Sequence, residues 1–186
     1  MSEEVIVRHC SPTLAGMKTG SLFSSVFRDM EELRDTVRRF NRVLVKKGLR
    51  ILPLRYREGH ALLYLYRPAY LTKDLAKTEV RRLLKERGYD PQSPDRCVLR
   101  LIERLKTTGD FPHEIGLFLG YPPEDVRGFI ENRAGKCKCV GCWKVYGNEQ
   151  AARALFLKYR RCTEAYCVRL RSGIPVERLA VADRSS

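Results

Sequence analysis

Apolar and polar positions alternate along this chain in two different rhythms, and the switch between them predicts an α+β fold. Val5-Ile6-Val7 is a short apolar run of β-branched residues, read as a buried strand that delivers His9 and Cys10 to its end. Ser11-Pro12 then has the form of a helix start, a capping serine followed by proline at the first helical position. Ser21 to Phe27 reads as a second strand. Asp29 with Glu32 forms a capping pair, and Met30, Leu33, Val37, Phe40 and Leu44 fall on one helical face closed by Gly48. Two strands rich in Leu and Tyr follow, Leu49 to Arg57 and His60 to Tyr66. The Arg57-Glu58-Gly59 loop between them predicts a bulged hairpin.

From there the period is helical. The pattern predicts helices over 72–86, ended by Gly88, and from Ser93-Pro94, where Cys97, Val98, Leu101, Ile102 and Leu105 make an apolar face. Two short helices, 112–120 and 123–133, are separated by Gly120-Tyr121-Pro122. Trp143 to Tyr146 reads as one more strand and Glu149 to Leu170 as a last long helix. The expectation is one α+β domain over 1–186, with a small, mainly antiparallel sheet covered by helices. Its 1–70 part is rich in strands and holds the hairpin 49–66, and its 71–186 part is mainly helical.

Composition narrows the setting. Hydrophobic residues make up 44% of the 186, enough for a globular core, and no run is long enough to cross a bilayer. Met1-Ser2-Glu3-Glu4 lacks the features of a secretory leader, so a cytoplasmic location is expected, and no membrane partner. In a reducing compartment the seven cysteines stay thiols, leaving core packing, metal ligation or redox chemistry. The net charge of +14 is uneven: +6 over 1–67, +1 over 68–134 and +7 over 135–186. Such a surface attracts an anionic small molecule or an acidic protein, and nucleic acid nonspecifically.

Three segments carry a resemblance to a known family. His9-Cys10-Ser11-Pro12-Thr13-Leu14-Ala15-Gly16, Phe111-Pro112-His113-Glu114-Ile115-Gly116-Leu117-Phe118-Leu119-Gly120-Tyr121-Pro122 and Cys142-Trp143-Lys144-Val145-Tyr146-Gly147 resemble the signature blocks of bacterial domain-of-unknown-function family 3793. The resemblance covers nearly the whole chain. It implies a cytosolic protein from anaerobic Firmicutes, in the company of redox and iron-related proteins, with an acidic redox protein such as a flavodoxin as partner. It implies no particular reaction.

The candidate chemistry starts at Cys10. Placed before a helix start, its thiol would meet the free N–H groups and positive dipole end that favour a thiolate; the alternative is a small core residue. His113, in the first turn after Pro112, is the matching base, with Glu114 to orient it or to handle a second proton. Cys139 and Cys142 have the spacing of a metal knuckle. Cys137 and Cys162 could complete a four-thiolate zinc or iron–sulfur site, whereas Cys162 and Cys167 diverge by about 140° on their helix. Those readings lead to a thiol- or metal-dependent protein of anaerobic redox or metal metabolism.

The competing reading is a noncatalytic nucleic-acid-binding module. Residues 112–131 have the small and apolar positions of a helix-turn-helix, but Glu114, Glu124, Asp125 and Glu131 oppose Arg127 alone. Arg55, Arg57, Arg67, Tyr56, Tyr64 and Tyr66 mix cations and rings on the hairpin. Glycine-rich phosphate loops, serine nucleophile elbows and paired-histidine zinc motifs are missing, which weighs against those enzyme classes.

Overall fold

The computed structural model describes residues 1–107 and 111–183, and the fold is α+β. The residues group into two compact units: Met1–Tyr70 with Arg161–Ser186, and Leu71–Arg160.

The first unit is built on a three-stranded antiparallel sheet of β1 (Gly20–Val26), β2 (Arg50–Arg57) and β3 (His60–Tyr66), in the order β1-β3-β2. In the register, Phe23 faces Leu63 on one side of β3 and Ile51 faces Leu65 on the other. Ala61, Leu63 and Leu65 join the core made with α1 (Glu3–Leu14), α2 (Met30–Leu44) and α9 (Val176–Leu179). Asp29 caps α2 by accepting from the Glu32 amide at 2.8 Å, as the sequence predicts. Two details differ from expectation in the hairpin. The loop is the two residues Glu58-Gly59, both with positive φ (50° and 78°), which suits the twist of the strands. The bulge lies within β2, where Pro53 and Arg55 pair with the consecutive residues Leu63 and Leu62.

The start of the chain is a correction. Val5-Ile6-Val7 is not a strand but part of α1, capped by Ser2, whose hydroxyl accepts from the Val5 amide. Ile6, Val7, Cys10 and Leu14 are all fully buried, and that spacing follows a helical period. Pro12 lies inside the last turn instead of opening a helix.

The second unit is mainly helical: the end of α3 (Pro68–Leu75), α4 (Thr78–Glu86), α5 (Pro94–Thr107), α6 (Ile115–Phe118), α7 (Pro123–Glu131) and the first half of α8 (Glu149–Arg171). The single helix expected over 72–86 is broken at Ala76-Lys77, where Lys77 is extended and caps α4. The strand expected at Trp143–Tyr146 is β5 (Lys144–Val145), paired with β4 (Cys139–Val140) in a small antiparallel ribbon. Among the described residues no helix is long and apolar enough to cross a membrane.

Candidate functional site

The second unit holds a cavity of about 300 Å³, built where the α6–α7 pair meets the β4–β5 ribbon. Its floor is Ile115, Gly116, Asp125 and Val126, all buried. Gly116 is there for closeness: a Cβ would come within 2.8 Å of Val126, so α6 lies directly on α7. The walls are aromatic. Phe111, His113 and Phe129 form one ring cluster, with His113 and Phe129 centred 4.8 Å apart. Tyr121 and Trp143 form another, stacked at 4.6 Å, with the Phe156 ring set edge-on to Trp143 at 4.6 Å. Val140, Gly141 and Cys142 are exposed at the mouth.

Asp125 holds this arrangement. Its carboxylate is 3% exposed and accepts from the Trp143 indole Nε1, the Tyr146 amide and the Gly147 amide, each at 2.7 Å. Those three donors fix the ribbon to α7 and set the plane of Trp143; charge-assisted bonds of this kind are the strong ones. Lys144, half-buried in the wall, donates from Nζ to the Ala134 carbonyl at 2.7 Å and sits 5.9 Å over the Phe129 ring. An ammonium has three donors, so a polar ligand in the cavity can take another. The carbonyl that holds it belongs to a strained stretch, since Arg133, Ala134 and Lys136 all have positive φ without being glycine.

The residues singled out from sequence fall in different surroundings. Cys10 lies inside α1, fully buried, hydrogen-bonded to Ser21, whose hydroxyl is 2.8 Å from that of Thr13. Burial drives its thiol far above the usual value, and Lys18 and the Ser21 bond offset this only in part. It is therefore not at a helix start, and the dipole argument for a thiolate does not apply to it. His113 is exposed, in the turn before α6, and belongs to the cavity. Glu114, only 2% exposed, faces the opposite way into an ion pair: Arg104 Nε lies 3.0 Å from Oε1, and the Tyr89 hydroxyl donates to it at 2.8 Å. Burial, and then the Glu114 charge, raise Tyr89 well above its ordinary value.

The clustered cysteines are spread over separate neighbours. Burial, then Cys137, then Asp125 raise the Tyr146 hydroxyl. Cys139 lies near Arg153. Burial and then Cys142 raise Tyr121 to about 12. Cys162 is on the half of α8 that belongs to the first unit, while the other three belong to the second. Among the described residues no group of three or more His, Cys, Asp or Glu side chains is placed to hold a metal ion. The pair read as a helix-turn-helix has a four-residue first helix, and its second helix turns Asp125 inward. On the hairpin, Tyr64 and Tyr66 are buried and stacked on each other at 4.5 Å, and Arg67 is 1% exposed, so these three present no surface to a base.

Sequence reasoning missed Phe111, Tyr121, Phe129, Trp143 and Lys144 as a group. The signal was there, because all but Phe129 lie inside the two later signature blocks. Rings scattered along a sequence carry little titratable chemistry to mark them, and they become a site only where the fold brings them together.

In comparison with known proteins, a family model described as "Protein of unknown function (DUF3793)" matches residues 6–180. No curated protein and no solved structure matches the chain.

Proposed function

The chain belongs to the DUF3793 family, and from the chemistry of its second unit we propose that it binds an anionic small molecule in the aromatic cavity. One observation carries the reading: the cavity brings the Lys144 ammonium together with rings from two separate clusters. Ligand sites are concave, mostly apolar and supplied with a few placed polar groups, and this one has that composition. Lys144 sets the sign. Among the described residues Asp125 is the one carboxylate in the lining, and it is already engaged by three N–H donors, so there a cationic ligand would meet a positive group and no free negative one. The excess positive charge of the chain attracts an anion from a distance.

The thiol of this reading is Cys142, exposed in the same wall. It replaces Cys10, whose sulfur is sealed in the first unit's core. The test uses Trp143, the single tryptophan of the sequence. In a 15N-labelled sample its indole N–H gives one cross-peak, and titration with naphthoate is expected to move that peak to saturation and to slow alkylation of Cys142 by iodoacetamide. An indole peak that stays still at millimolar concentrations of both naphthoate and the non-aromatic acid cyclohexylbutyrate would end the proposal.

A further inference from the structure

We infer that the ligand is a flat aryl acid of about two fused rings, with its ring system against the aromatic walls and its acid group on Lys144; this rests on the anion-binding reading above and names the ligand class. Three observations lead to it. At the packing density of protein interiors, a cavity of about 300 Å³ holds roughly a dozen non-hydrogen atoms. That suits a bicyclic acid.

The walls also select for flatness. Tyr121 and Trp143 are stacked on each other (27°), and Phe156 packs against Trp143 at 82°. Gly141 permits that packing, since a Cβ there would come within 2.2 Å of the Phe156 ring. With its indole N–H also tied to Asp125, Trp143 is held as a fixed plane. Tyr121 already covers one face of Trp143, so a planar partner adds to this stack from outside or meets its edge. Elsewhere in the lining, His113 and Phe129 offer two more ring faces, tilted at 60° to each other.

The third observation is how the cation is held. The Lys144 ammonium is tethered to the Ala134 carbonyl and sits over the Phe129 ring, so it is already ordered beside an aromatic face. A charge fixed in advance spends little entropy when an anion arrives. An acid group attached directly to a ring stacked in the cavity would meet it without a flexible arm.

Calorimetric titration of the 186-residue chain with three compounds of similar size separates the parts of this inference. Naphthoate has ring and charge, naphthylmethanol has ring without charge, and cyclohexylbutyrate has charge without ring. Naphthoate is expected to bind on the order of fivefold more tightly than cyclohexylbutyrate. It is also expected to bind roughly tenfold more tightly than naphthylmethanol. On Lys144→Met, naphthoate should bind no more tightly than naphthylmethanol does on the same variant, and Lys144→Arg should restore the difference. Equal binding of cyclohexylbutyrate and naphthoate would overturn the aromatic requirement and leave anion binding standing. Equal binding of naphthylmethanol and naphthoate would remove the acid group from Lys144. No heat from any of the three at millimolar concentration would overturn the anion-binding reading itself.

Discussion

Asp125 and Arg67 are both charged and both buried, and each ties together segments distant in sequence. Asp125 fastens the ribbon to α7 through three N–H donors. Arg67 does the reverse, donating from Nε to the Thr13 carbonyl and from Nη2 to the Leu14 and Val181 carbonyls, at 2.7–2.8 Å. It thereby satisfies carbonyls at the end of α1 that the helix leaves open. Replacing either by alanine strands several buried partners. Asp125→Ala and Arg67→Ala are each expected to cost about 3 kcal/mol in urea unfolding. Only Asp125→Ala should also shift Trp143 emission to longer wavelength, as the indole loses its anchor. Cysteine reactivity separates in the same way: iodoacetamide should label Cys142 in the folded chain and leave Cys10 untouched until denaturant is added, which peptide mass mapping reads directly. Sequence showed these residues but not their partners. Asp125 counted only as a negative charge on α7, and Arg67 as a cation beside tyrosines, because burial is decided by segments far away in the chain.

Elements were legible where local chemistry and tertiary packing agree. The Asp29 cap, the Gly48 and Gly88 helix ends and the hairpin around Gly59 all follow from residues that favour one backbone conformation. They were illegible where packing overrules propensity. Three β-branched or branched residues in a row at Val5–Val7 favour a strand, yet burial of Ile6, Val7, Cys10 and Leu14 against the sheet holds them in a helix. The break at Ala76-Lys77 has neither glycine nor proline to announce it. Gly128 teaches the converse lesson. It weakens α7 by propensity, and the structure shows why it is there: a Cβ would come within 2.4 Å of the Tyr146 ring, which lies on the helix at that point. Gly128→Ala should therefore destabilise by about 2 kcal/mol, through overpacking, despite a helix-propensity gain of about 1 kcal/mol. Thermal unfolding followed by circular dichroism measures the balance. A rise in melting temperature would show that the ribbon yields.

For the whole molecule, the buried acids set the pH response. Burial pushes Cys97 to about 11 from an ordinary 9.0, and Tyr121 and Tyr159 to about 12 from 10.0; Cys10 and Tyr89 move further the same way. In each case the folded chain keeps its proton longer than the unfolded one. Above about pH 9 the unfolded state therefore binds fewer protons, and stability falls as pH rises. Urea midpoints should be level below that point and decline steadily from pH 9 to 11. A midpoint that holds steady to pH 11 would mean these groups are solvated in the native state.

The route of the backbone through the first unit has a consequence for how the protein is made. That unit is assembled from the first 70 residues and the last 26, joined where the Val181 amide donates to the Leu14 carbonyl, the Asp183 amide to the Lys47 carbonyl, and the Val176 amide to Glu3. The cavity-bearing unit is continuous in sequence. On a ribosome, then, the cavity can close while the sheet that precedes it still waits for α9, and interruption of the chain before Val176 would spare the binding site's own sequence yet leave the older half of the nascent chain unsealed.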